Sequence, residues 1–145
     1  MLLGLLLAFA MQAPGQPNVL RFPDTMGTVV VAREMISQVD EPKQAVARTP
    51  TEWAALWRQH AGAAPAPKVD FGTRTVVAVF LGSRPSAGYS VDITGTREAG
   101  AVLTVEWQER PPARDAIAAQ MLTSPMVIAT IPKFAGEIRF VKAEP

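Results

Sequence analysis

Thr75-Val76-Val77-Ala78-Val79-Phe80-Leu81, then Gly82-Ser83-Arg84-Pro85-Ser86-Ala87-Gly88, then Tyr89-Ser90-Val91-Asp92-Ile93-Thr94: these three runs, read together, decide the fold. The first is almost unbroken apolar sequence rich in β-branched residues, the pattern of a central strand buried on both faces. The third alternates apolar and polar side chains, as a strand with one solvated face does. Between them lies a connection with a glycine at each end, longer than a minimal hairpin needs. Gly82 and Gly88 suit backbone conformations that other residues avoid.

Downstream, Gly95 to Gly100 reads as a turn and Ala101–Glu109 (AVLTVEWQE) alternates again through Val105 and Trp107. This run is expected to form a hairpin with Tyr89–Thr94. Arg110-Pro111-Pro112 stops it. Arg114–Leu122 is alanine-rich and compatible with a helical turn, its length limited by the flanking prolines. Ser124–Ile131 and Gly136–Val141 read as a last strand pair, with Pro125 taken as an edge-strand proline. Upstream, Gly27–Arg33 is short and β-branched, Asp40-Glu41-Pro42 marks a turn, and Lys43–Arg48 reads as the returning strand.

One helix is announced by its own start signal. Thr49-Pro50-Thr51-Glu52 supplies an N-cap threonine, proline at the first helical position and glutamate three residues after the cap. Trp53, Leu56, Trp57 and His60 then fall on one face, which is expected to pack against a sheet. Ala61-Gly62 ends the helix. The fold class expected is mainly β (α+β): an antiparallel β-sandwich or open barrel of about seven strands with one amphipathic helix packed on it. It occupies residues 27–145, with no internal repeat.

Composition narrows the chemistry. The chain has 145 residues, 13 prolines, one histidine, no cysteine and a formal net charge of +1. That length suits one domain with a self-sufficient core. The near-neutral charge argues against a nucleic-acid partner. Disulfides, thiolate nucleophiles and iron–sulfur clusters need cysteine, and a multi-His metal site needs more than His60. No metal site or cofactor is therefore expected.

Leu2–Ala10 (LLGLLLAFA) is uncharged and apolar, and the first charged side chain is Arg21. The run is far shorter than the roughly 20 residues a membrane span takes. It reads as the core of a signal peptide over residues 1–10, with small residues at Ala8 and Ala10, and with Ala13 offering a second cleavage site. Residues 11–26, with Pro14, Gly15 and Pro17, read as a flexible tether. The expectation is export to the periplasm or outside the cell, with no stable membrane anchor once the signal is cleaved.

A Ser–His–acid arrangement would have to use His60, which lies on the packing face of the helix. Carboxylates that a hydrolase would need are offered by Asp70, Asp92, Glu106, Glu109 and Asp115, but Asp92 and Glu106 sit on the polar phases of alternating strands. No enzyme is expected. Two segments stand out as candidate contact surfaces instead. The first is the loop Arg84, Pro85, Ser86, Gly88 and Tyr89, and the second is Thr123, Ser124 and Pro125.

The residues from Val69 to Ile93, the strand end Trp107-Gln108-Glu109-Arg110-Pro111-Pro112 and the run Leu122–Pro132 together resemble the PrcB C-terminal domain family. The upstream TEWAALWRQH is similar to that family's Glu-Trp…Trp segment, so the resemblance extends from about Val30 to Val141. The family loop reads Pro-Thr-Gly-Gly-Tyr where this chain has Pro85-Ser86-Ala87-Gly88-Tyr89, and lipoprotein members carry an N-terminal cysteine that is missing here. The resemblance implies a non-enzymatic exported subunit that binds or stabilises a protease. The same loop is similar to the Asn-Pro-Thr-Thr-Gly-Tyr loop of chagasin-type protease inhibitors, with Arg84 in place of the first Asn. That analogy implies the alternative of a protease inhibitor presenting residues 82–89 to an active-site cleft.

Overall fold

Two rows of buried side chains run along β3 (Arg74–Phe80), Val76, Ala78 and Phe80 on one face and Val77 and Val79 on the other. A strand built this way needs a layer on each side, and it has both. The computed structural model describes residues 27–144. The expected signal segment and tether lie outside the described residues. Along the chain come β1 (Val29–Glu34), β2 (Lys43–Ala47), α1 (Pro50–Ala61), β3, β4 (Ser90–Ala99), β5 (Val102–Arg110), β6 (Met126–Pro132) and β7 (Glu137–Lys142). The strands form a four-stranded sheet, β1-β6-β3-β2, and a three-stranded sheet, β4-β5-β7, so the choice between sandwich and barrel falls to the sandwich.

Helix α1 covers the outer face of the four-stranded sheet. Its Trp53, Leu56 and Trp57 pack on Ala47, Val76, Ala78, Phe80, Met126 and Ile128. On the inner face Val77, Val79, Val127, Ala129 and Ile131 meet Val91, Leu103, Val105 and Trp107 of the second sheet. Each such aliphatic side chain, fully buried, contributes about 1.5–3 kcal/mol.

The helix begins as its sequence dictates. Thr49 Oγ1 accepts the N–H of Glu52 at 3.1 Å. The Glu52 carboxylate reaches back to the N–H of Arg48 at 2.7 Å, one residue before the cap. Both indole N–H groups find carbonyls in the proline-rich stretch after the helix, Trp53 on Pro67 and Trp57 on Ala64. That stretch therefore lies back along α1 and leaves neither buried donor unmade.

Three neighbour relationships differ from the sequence reading. β1 and β2 are opposite edges of their sheet, with β6 and β3 between them, so Lys43–Ala47 does not return along β1. β6 and β7 are not a pair: β6 lies between β1 and β3, and β7 runs parallel to β5. The physical reason is the same in both cases. Alternation reports which face of a strand is buried, while the neighbour is chosen by packing between distant segments. Third, Pro125 precedes a central strand and is fully buried, its carbonyl taking the N–H of Leu81. A proline without an N–H is tolerated there because it stands before the first paired residue. Arg114–Leu122 forms no helix; one turn closes through Ala116 N–H to Ala113 O.

The strands give the molecule two distinct ends. At one, Gly27 packs on Pro132 beside Arg74, and the Ala99–Val102 turn approaches Gly136. At the other, Glu34, Met126 and Phe80 align across the sheet, and the 82–89 and 111–125 connections gather there beside the end of β7.

Candidate functional site

The loop that follows β3 is fastened at every second or third residue. Gly82 has φ +81°, and a Cβ there would lie 2.7 Å from Pro42 Cδ. Arg84 and Thr123 exchange both backbone hydrogen bonds, at 2.8 and 2.9 Å. The Thr123 hydroxyl donates to Ser86 O at 2.9 Å, and Ala87 N–H donates to Ala119 O at 2.9 Å. Gly88 has φ +97°, with Pro112 where a Cβ would stand. Ala87, which takes the place of a family glycine, has no positive φ. The two segments singled out from the sequence are thus one structure: residues 84–87 are laid against 119–123.

Within it the side chains divide by role. Pro85 and Gly88 are exposed at the rim, and Arg84, Ser86 and Tyr89 are half-buried. The Arg84 guanidinium turns inward. Its Nε and Nη2 meet the two carboxylate oxygens of Glu109 at 2.7 and 3.0 Å, and Nη1 donates to Leu81 O and Ser83 O. It also lies 5.9 Å from the Tyr89 ring centre. Lys142 adds a second cation to Glu109 at 3.3 Å while resting over Trp107. Bonding from Arg84 holds the Glu109 carboxyl below the ordinary glutamate range; burial opposes this and Lys142 adds to it. Thr123, Ser124 and Pro125 are buried, so this second segment supports the surface from beneath.

Ser124 is joined to Ser37. Ser37 N–H donates to Ser124 Oγ at 2.9 Å, the Ser124 hydroxyl donates to Ser37 O, and a parallel bridge pairs Ile36 with Ser124. This ladder brings exposed Met35 and Ile36 beside the 122–124 segment, where Leu122 is exposed as well. A groove of about 320 Å³ opens between the end of β1 and the start of β4, lined by Arg33, Glu34, Met35, Gly88, Tyr89 and Val91. Ile117, at the tip of the 111–122 connection, is fully exposed.

The helix face Trp53, Leu56, Trp57 and His60 is buried as expected. His60 Nδ1 is 2.9 Å from Ser37 Oγ, and Nε2 is 3.6 Å from Glu34 Oε1. The carboxylates offered for hydrolysis do not converge. Asp92 is held by Arg33 at 2.5 Å and Arg110 at 3.5 Å, Glu106 by Arg97 at 3.1 Å, and Asp115 is exposed. Asp70 instead accepts the N–H of Gly72 within a turn. Among the described residues no group of three or more His, Asp or Glu is arranged to hold a metal ion.

Ser37 and Glu34 escaped the sequence reading, and Glu109 was read there as one of five candidate carboxylates and not as the partner of Arg84. Only Glu109 carried a legible signal. It continues the inward row Leu103-Val105-Trp107 of β5, and a carboxylate on the buried phase of a strand calls for a cationic partner.

Residues 75–132 match the PrcB C-terminal family model. The family is the one that the sequence resembles, and the matched stretch runs from β3 through the 82–89 loop, the β4–β5 hairpin and residues 119–125 to the end of β6. It therefore contains both strapped segments and Glu109, while α1, β1, β2 and β7 lie outside it. Neither the comparison with curated proteins nor that with solved structures returns a match.

Proposed function

We propose that this chain is a non-enzymatic, exported interaction module that binds or stabilises a protease, with Pro85, Gly88, Tyr89 and the neighbouring Leu122, Met35 and Ile36 as its contact surface. The observation that carries the reading is the fastening of residues 84–87 onto 119–123, with Arg84 clamped on Glu109. A loop held in one conformation loses little entropy on binding. The exposed apolar side chains around it supply area that excludes water in a complex. The PrcB C-terminal match supports a subunit of a protease complex as the class of protein.

The test uses the chain from residue 27 onward and a secreted protease from the same source. Binding is measured by calorimetry for the wild type, Leu122→Asp and Tyr89→Ala. The reading expects at least tenfold weaker binding for both variants at unchanged melting temperature. Equal affinity in all three proteins rejects this surface.

A second reading, inhibition of a protease by the 82–89 loop, draws on the same rigid strapping, since a loop that blocks a cleft must resist rearrangement. Titration of the bound protease with a small substrate separates the two: a stabilising subunit leaves turnover intact, and an inhibitor abolishes it.

A further inference from the structure

We infer that the peptide bond between Arg114 and Asp115 is a processing site, where an endoprotease that cuts after arginine opens the chain and leaves a folded protein of two fragments. From Pro111 to Leu122 the β5–β6 connection forms no helix or strand, and every residue but Pro112 and Ala118 is exposed. A connection this long and this bare is uncommon in a compact domain unless it serves a function. Arg114 and Asp115 are the central residues of a turn closed by a single bond, Ala116 N–H to Ala113 O at 3.0 Å. Neither side chain has a hydrogen bond or ion pair among the described residues. Ile117, just beyond, is fully exposed, so the tip adds nothing to the core.

A protease draws its substrate into an extended strand, so it cuts first where the least holds the backbone. Most of the other basic residues lie in strands or in α1, whose backbone bonds must break first. Outside them, Arg48 N–H is held by Glu52, and its guanidinium by the carbonyls of Phe134 and Gly136. Lys68 follows Pro67, whose carbonyl takes the Trp53 indole N–H. Lys133 N–H donates to Thr73 O. Arg84 and Arg110 each precede a proline, and arginine-directed proteases pass over such bonds. Arg114 is the basic residue of the described chain that none of these restraints protects.

Hydrolysis adds one water across the bond: Arg114 gains a carboxylate, Asp115 gains a free amino group, and no other reactant takes part. Both new ends are pinned a few residues behind the cut. Pro112 stands against Gly88, and Ala119 O takes the Ala87 N–H. The fragment that begins at Asp115 carries β6 and β7. β6 lies between β1 and β3 with Met126, Val127, Ile128 and Ala129 fully buried, and β7 lies along β5. Separating the fragments would open both sheets, so the cut chain stays together. The paired backbone bonds of Arg84 and Thr123 and the Arg84–Glu109 clamp also persist. What the cut frees is Asp115–Ala118, with Ile117 on it.

Trypsin serves as the probe. The whole chain is treated with it under native conditions, and the products are identified by mass spectrometry and by size-exclusion chromatography. A cut after Arg21 falls ahead of the described residues and is scored apart from the rest. From Gly27 onward the first cut is expected between Arg114 and Asp115. Its two products are expected to co-elute at the position of the uncut domain and to keep its tryptophan fluorescence. Arg114→Gln, at an exposed position, is expected to slow this cut roughly tenfold or more at unchanged melting temperature. The processing site is overturned if the first cut from Gly27 onward falls elsewhere, if the two fragments separate on the column, or if Arg114→Gln is cut as fast as the wild type. None of these outcomes depends on whether a partner binds the neighbouring surface.

Discussion

Arg84 and Glu109 meet through two nearly parallel N–H···O bonds, and this pair ties the loop after β3 to the end of β5. The guanidinium reads as a contact residue in sequence, but most of its donors are spent inside the molecule. Its role at the surface is to fix the shape that Pro85 and Tyr89 present.

Arg84→Lys is expected to destabilise the fold by about 1–3 kcal/mol, since an ammonium cannot make the paired contact and leaves Glu109 incompletely bonded. Denaturant unfolding measures the loss. A double-mutant cycle with Glu109→Gln should show coupling of about 0.5 kcal/mol or more; strict additivity contradicts the clamp.

The same pair predicts a pH dependence. The Glu109 carboxyl is lowered in the folded chain relative to its unfolded value, chiefly by bonding from Arg84. Its contribution is therefore complete above the ordinary glutamate value of about 4.3 and is lost as pH falls through the lower folded value. Stability curves of wild type and Glu109→Gln should be well separated at neutral pH and converge in acid. Curves that stay parallel down to acid pH count against it.

Gly82 and Gly100 both have positive φ, +81° and +63°, but only Gly82 is crowded, by Pro42. Gly100→Ala is expected to cost about 1 kcal/mol from backbone conformation alone. Gly82→Ala adds a clash and should cost clearly more, lowering the melting temperature by several degrees beyond the Gly100 variant. Thermal unfolding of the two variants ranks them.

Thr49→Ala removes the hydroxyl that caps α1 and is expected to cost about 1 kcal/mol. Leu122→Asp and Ile117→Asp, at exposed positions, should stay within about 0.5 kcal/mol of wild type. Parallel melts test both claims.

The sequence disclosed what is local. Thr49–Glu52 marks the helix start, the Trp53–Leu56–Trp57–His60 face is the buried one, and the apolar run after Arg74 is the strand covered on both sides. It concealed what depends on distant partners. Nothing in Glu137–Lys142 specifies β5 as its parallel neighbour; Ile138 and Phe140 announce only a buried face. In the candidate site, Gly82 and Gly88 were legible because a positive φ restricts residue choice. Ser37 was not, because a serine carries no trace of a partner 87 positions away.

The two ends of the sandwich have a practical bearing on how the chain is handled. Gly27 emerges beside Pro132, whereas Ala143, bonded to the Trp107 carbonyl, leaves β7 beside Glu109 and the strapped loop. A fusion tag or surface linkage ahead of Gly27 stands off at the far end and leaves the proposed contact face open to a partner. The same tag added after Lys142 shadows that face, so a failed capture through a C-terminal label is evidence about the label before it is evidence about binding.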